Sequence, residues 1–174
     1  MRSALLVCSP GGHLLQMLEL EPSWRAFDVT WVTLRAADVD HLLAGQDVVF
    51  GHGPTNRSVK ALLRNLVVAW RVVRARRPDV ILSTGAALAV PFFLVGRLFG
   101  CRLVYVESLT RTRDLSLTGR LVYPLATRFI VQWPEAARGR PRAVYAGSLL
   151  DASVVDGEPI TSRKVSLHGT FEGS

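Results

Sequence analysis

Apolar and polar positions come in alternating blocks along this chain, short apolar runs followed by longer stretches of helical period. Residues 4–8 (Ala-Leu-Leu-Val-Cys) are apolar throughout, the pattern of a strand buried on both faces of a sheet. Ser9-Pro10-Gly11-Gly12 breaks the run, and residues 13–20 read as a helix. Further strands are predicted over 28–34, 47–50, 79–83, 103–107 and 129–133, with a seventh over 143–146 closed by Gly147-Ser148. Helices are predicted over 38–43, 58–77, 86–99 and part of 117–125; Pro78 stops the long helix and Gly100 closes the next. Strand–helix alternation with apolar strands predicts an α/β fold, a Rossmann-like parallel sheet with helices on both faces.

The 174 residues have room for one domain, placed at 1–150. Residues 151–174 are rich in Ser, Thr, Gly and acids with no sustained period, and are expected to form a flexible or partner-ordered tail. The uncharged run 80–96 falls short of the ~20 residues that a membrane span needs, and Ser83, Thr84, Gly85 and Pro91 interrupt it. It reads as strand, turn and buried helix. No export signal is read ahead of Cys8, so a soluble or peripheral protein is expected. Cys8 and Cys101 each lie in an apolar run and read as buried thiols. The four histidines are scattered without ligand spacing, so no metal or cofactor is expected.

Charge adds a partner class. Lys+Arg is 21 against 14 Asp+Glu, net +7, which favours nucleic acid, a phospholipid surface or a phosphorylated ligand. Seven of the basic residues and no acid fall within 57–77. Arg57, Lys60, Arg64, Arg71 and Arg74 form one helical stripe beside Trp70 and many aliphatic residues. That combination suits an anionic membrane surface, with a solvated helix face as the plain alternative. No nucleic-acid-binding motif is found, so nucleic acid is not expected as a partner.

Ligands of open α/β sheets sit beyond the carboxyl ends of the strands. Three such ends carry unusual residues. Ser9, Gly11, Gly12 and His13 follow the first strand: glycines let backbone N–H groups approach an anion or sugar, and an imidazole can act as a general base. The third glycine of the dinucleotide fingerprint is missing, which argues against a stand-alone NAD-dependent dehydrogenase. Ser83-Thr84-Gly85 offers a small-residue turn with a hydroxyl, or merely a tight connection. Glu107 ends an apolar strand and is followed by Ser108 and Arg111. Its carboxylate could serve as a base or bind hydroxyls, and Arg111 could hold a diphosphate; a structural Glu–Arg pair is the alternative.

Taken in order, residues 7–14 (Val-Cys-Ser-Pro-Gly-Gly-His-Leu), 79–85, 104–108 (Val-Tyr-Val-Glu-Ser) and 129–135 (Phe-Ile-Val-Gln-Trp-Pro-Glu) resemble PssD-type polysaccharide-biosynthesis proteins. These are relatives of the membrane-anchoring subunit of the eukaryotic split transferase that adds the second N-acetylglucosamine to dolichol-diphosphate sugar. The resemblance covers roughly residues 3–150. It implies the N-terminal half of a GT-B glycosyltransferase, with a donor-binding subunit as a separate chain. It implies inverting transfer from a UDP-sugar to a lipid-diphosphate-linked saccharide, without bound metal, at the cytoplasmic face of the bacterial plasma membrane. Carried over, Gly11, Gly12 and His13 match the first acceptor loop, with His13 as a base. Thr84 and Gly85 match the second loop, and Glu107 matches the acidic residue after the fifth strand. Pro10 departs from the Ser or Thr common there, and the eukaryotic subunit's N-terminal membrane helix has no counterpart. Attachment would then rest on the basic helix. The competing expectation is a non-catalytic membrane adaptor that recruits or activates a partner transferase.

Overall fold

The computed structural model describes residues 2–54 and 58–149. Seven strands form one all-parallel sheet: β1 (Ser3–Val7), β2 (Asp28–Thr33), β3 (Val48–Phe50), β4 (Val80–Ser83), β5 (Arg102–Val106), β6 (Arg128–Val131) and β7 (Ala143–Tyr145). Their order is β3-β2-β1-β4-β5-β6-β7, the doubly wound Rossmann arrangement. The chain therefore builds outward from β1 in one direction and resumes from β4 in the other. Register places Val7, Ser83 and Tyr105 side by side, so the loops after β1, β4 and β5 open at one edge.

Both faces of the inner strands β1, β4, β5 and β6 are buried, as their largely apolar runs require, whereas the edge strand β7 leaves Val144 and Tyr145 exposed. On one face Leu5, Val7, Ile81, Leu103, Tyr105 and Phe129 pack with helices α4 (Val59–Arg76), α5 (Ala89–Leu98) and α6 (Leu117–Val122). On the other, Leu6, Leu82, Val104 and Ile130 pack with α1 (Gly12–Glu19) and α3 (Ala37–Leu42). Each fully buried Leu or Phe here contributes about 1.5–3 kcal/mol relative to exposure. Cys8 and Cys101 are buried free thiols in different packing layers.

Several boundaries differ from expectation. Two short helices appear that periodicity did not register, α2 (Glu21–Trp24) and α7 (Pro134–Ala137), each with proline in its first turn. Helix α5 starts at Ala89, not at 86, because Gly85 and Ala86 both take positive φ, 127° and 70°, to turn the chain off β4. Helix α4 ends as expected: Arg77 is left-handed, φ 44°, and Pro78 follows. At its start Ser58 Oγ accepts from Ala61 N at 3.2 Å. The uncharged run 80–96 folds as β4, a turn and the start of α5, and among the described residues no helix is long and apolar enough to cross a membrane. The domain boundary expected at residue 150 and the tail 151–174 lie outside the described residues.

Candidate functional site

Strands β1 and β4 are the neighbours at which the chain reverses its direction of build-up, the place where open α/β sheets bind ligands. Their following loops are locked together there. His13 donates Nδ1–H to the Thr84 carbonyl at 2.8 Å, and Thr84 Oγ1 donates to the His13 carbonyl at 2.7 Å. A carbonyl oxygen can only accept, so Nδ1 holds the proton. In the neutral ring Nε2 is then left with a lone pair, the arrangement a base needs. The ring packs against Gly85, where a Cβ would stand 2.6 Å from His13 Cε1 and 2.9 Å from Nδ1.

A cleft of about 740 Å³ opens over this point. Its ends differ in chemistry because different loops build them. Toward β5 the lining carries Ser108, Thr110, Arg111 and Ser116; toward β2 and β3 it carries Leu34 and Pro54; Ser9, His13 and Ala86 lie between. Arg111 is exposed and forms no ion pair among the described residues. A second hollow, of about 390 Å³, lies at the amino ends of the strands beside Arg2, Asp79 and Arg102. It lies at the opposite sheet edge from the loops that carry His13 and Ser108.

Not every expected residue faces the cleft. Thr84 is fully buried and its hydroxyl is committed to His13, so it supports the imidazole instead of touching a ligand. Gly85 is buried beneath the ring. Gly11 takes φ 77°, but its N–H is donated to Asp38 Oδ2 at 2.8 Å. A carboxylate thus occupies the amide that was expected to meet an anion, and it opposes a second negative charge there.

Glu107 departs most from expectation. It is 1% exposed, and its carboxylate is enclosed by protein donors. Oε1 accepts from Ser108 N at 3.0 Å, and Oε2 accepts from Ser116 N at 3.0 Å and Ser116 Oγ at 3.1 Å. Its oxygen rests over Gly119, where any side chain would collide with it. Ser116 in turn caps α6, accepting from Gly119 N at 2.9 Å. The alternative reading, a structural pair of Glu107 with an arginine, finds no counterpart in the ion pairs among the described residues. The carboxylate ties the β5 loop to α6 from beneath the cleft floor. Tyr105, stacked on Phe129 and 3.3 Å from Ser116 Oγ, has its phenol held well above its ordinary pKa by burial and then by the Glu107 charge.

Sequence patterns passed over the polar residues that hold this floor. Gln16 and Gln132 both donate to the Glu107 carbonyl, at 3.2 and 2.9 Å, and Gln132 Oε1 accepts from Leu149 N at 3.1 Å. The available signal was a polar residue at a buried position: Gln16 on the apolar face of α1, and Gln132 directly after the apolar strand β6.

The basic helix presents two adjacent stripes to solvent. Ala61, Asn65, Ala69 and Val73 face inward. At 100° per residue, Val59, Leu63 and Trp70 gather on one side of the outward face and Lys60, Arg64 and Arg71 on the other, with Val67 and Arg74 on the border between them. Trp70 meets Phe99 edge-on, ring centroids 5.1 Å apart, which joins its stripe to exposed Leu94 and Leu98 of α5, the latter 76% exposed. None of the four cations pairs with a carboxylate among the described residues. Arg57 lies outside the described residues.

Residues 51–149 match the family described as "Oligosaccharide biosynthesis protein Alg14 like". The chain belongs to the Alg14 family. The UDP-N-acetylglucosamine transferase subunit ALG14 of Eremothecium gossypii is 33% identical over 183 aligned positions, 86% of this Alg14-family chain and 80% of that protein. The human protein of the same description is 30% identical over 99 residues, 53% of this chain and 46% of the human one. Among solved structures, MurG of Acinetobacter baumannii superimposes with a TM-score of 0.65 at 16% identity, covering 82% of this chain and 45% of MurG. UDP-N-acetylglucosamine 2-epimerase of Rickettsia bellii gives 0.70 at 10% identity, covering 87% and 46%. These likenesses establish the fold, and the chain spans just under half of each solved chain.

Proposed function

We propose that this Alg14-family chain is the acceptor-binding, membrane-associated half of a two-component inverting glycosyltransferase. A separate donor-binding subunit would present the UDP-sugar across the cleft. His13 carries the proposal: its Nδ1–H is fixed on Thr84, which leaves Nε2 for the acceptor hydroxyl. As that hydroxyl oxygen bonds to the sugar C1 on the face opposite UDP, Nε2 takes its proton and the C1–O bond to the diphosphate breaks, with the electron pair leaving on UDP. A positioned base of this kind contributes about 10²–10⁴-fold. The partner would stabilise the leaving diphosphate.

Arg111 is assigned to the acceptor's own diphosphate, since it is a free guanidinium on the cleft and the glycine-loop amide is taken by Asp38. Ser9 and Ser108 would bind acceptor hydroxyls from the same lining. Glu107, Thr84, Gly85 and Gly11 act as supports for this set. The two stripes of α4 would seat the chain on an anionic lipid surface, apolar side chains in the interface and cations on headgroups. The finer placement, a lipid-diphosphate saccharide in polysaccharide synthesis at the cytoplasmic face of a bacterial plasma membrane, is part of this proposal.

The test is sugar transfer by the chain together with its donor-binding subunit. His13→Ala, with folding and complex formation intact, is expected to lower kcat by about 10²-fold or more. Unchanged transfer would favour the non-catalytic adaptor. Transfer by the purified chain alone would overturn the two-component reading.

A further inference from the structure

Among the described residues, the inward face of the basic helix carries one buried polar side chain. Asn65 lies at the middle of α4, 1% exposed, in the inward stripe with Ala61, Ala69 and Val73. An amide in such a stripe costs stability unless its hydrogen bonds are made. Both are made to one residue of the loop after β3: His52 N–H donates to Asn65 Oδ1 at 2.7 Å, and Asn65 Nδ2 donates to the His52 carbonyl at 2.9 Å. The helix thereby grips the loop backbone at two points, as a neighbouring strand would.

The gripped loop has little room. Gly51 N–H donates to the Thr33 carbonyl at 2.8 Å, and a Cβ on Gly51 would stand 2.9 Å from Leu88 Cδ1 and 3.0 Å from Asn65 Oδ1. Gly53 faces Leu34 at ordinary contact distance. Leu34 and Pro54, on either side of this clamp, form the apolar end of the cleft. On the opposite side of the same turn of α4, Leu63, Arg64 and Val67 face solvent.

We infer that Asn65 is a positioning residue that makes the apolar end of the cleft and the outward face of α4 one rigid unit. This rests on the proposed docking of α4 on lipid. Docking then fixes the Leu34–Pro54 wall relative to the bilayer and orders it for the acceptor. A residue that only filled space would give stability without this coupling.

The test is amide hydrogen exchange on the full chain, with and without vesicles of phosphatidylglycerol in phosphatidylcholine. In the wild type, vesicles are expected to slow exchange at His52 by about tenfold. Asn65→Ala should bind the same vesicles with unchanged affinity, while exchange at His52 rises and no longer responds to them. Gly51→Ala, which keeps the Asn65 side chain but sets a methyl group 3.0 Å from its Oδ1 and 2.9 Å from Leu88 Cδ1, should uncouple it in the same way. Protection of the β1 amides reports that each variant is folded, and Gly51→Ala carries the test if Asn65→Ala loses it. A vesicle response retained in the folded variants, or absent in a wild type that binds vesicles, overturns the inference and leaves docking standing. A wild type that binds no vesicles removes docking and the inference together.

Discussion

Gly85→Ala is the sharpest probe of the site, because it adds one methyl group against the imidazole and touches no side chain of its own. The new Cβ would stand 2.6 Å from His13 Cε1 and 2.9 Å from Nδ1, against the roughly 3.5–4.0 Å of ordinary carbon contact. The ring must therefore retreat by about 1 Å. That breaks the 2.8 Å bond to the Thr84 carbonyl, worth about 0.5–1.5 kcal/mol. Holding an L-residue at φ 127° adds about 1–3 kcal/mol. The total loss of stability is about 1.5–4.5 kcal/mol. A displacement of 1 Å at a reacting group costs about 10²-fold in rate. The assay is kcat for sugar transfer with the donor-binding subunit present, at a temperature where both variants are folded by circular dichroism. Gly12→Ala is the control: nothing lies within 4 Å of its Cβ position, and transfer is expected to stay within about twofold of wild type. Full activity in folded Gly85→Ala would refute the role of the held imidazole. Equal losses in both variants would refute the geometric reasoning.

Glu107→Ala strips three donors of a buried acceptor and should lower stability by about 3–5 kcal/mol, a fall of roughly 10 °C in Tm, measured by thermal unfolding. Arg111→Ala should raise KM for a lipid-diphosphate acceptor by about tenfold with kcat little changed, because the guanidinium binds charge that does not change in the reaction. Trp70→Glu should weaken vesicle binding at all salt concentrations, whereas replacing Arg64 and Arg71 by Gln should chiefly remove its salt dependence, read by vesicle sedimentation. Burial, then the charge of Asp38, pushes the Cys8 thiol from 9.0 up to about 12. The folded state holds this proton longer than the unfolded chain does. Stability is therefore full below pH 9 and falls as pH rises toward 12, by up to about 4 kcal/mol in chemical denaturation at stepped pH.

The sheet was legible because each inner strand is buried on both faces, and residues such as 80–82 and 103–106 announce that as uninterrupted apolar runs. The start of α5 was not, since Ala86 takes a left-handed conformation that its side chain disfavours and only the surrounding turn enforces. In the site, His13 was marked by its place after β1. The occupant of the Gly11 amide was not, because Asp38 arrives from a different crossover, 27 residues away. Glu107 read as a base, a hydroxyl-binding group or half of an ion pair with arginine, because its actual donors, Ser108 and Ser116, are ordinary loop residues in the sequence. Asn65 was readable in principle, as a polar residue at the four-residue spacing of Ala61 and Ala69, but only the fold supplies its partner.

The central place of β1 also governs how the chain can be made. Its neighbour on one side, β2, follows within about 30 residues, but its other neighbour is β4, and Ser3 meets Asp79 across 76 positions. At translation rates of about 5–20 residues per second, β1 waits roughly 4–15 s for that partner. During the wait one edge of a strand that is apolar from Ala4 to Val7 presents unpaired backbone groups, the kind of surface that other nascent chains can pair with. The His13–Thr84 contact cannot exist before the wait ends. Slow elongation between β3 and β4 should therefore cost soluble yield before it costs anything else.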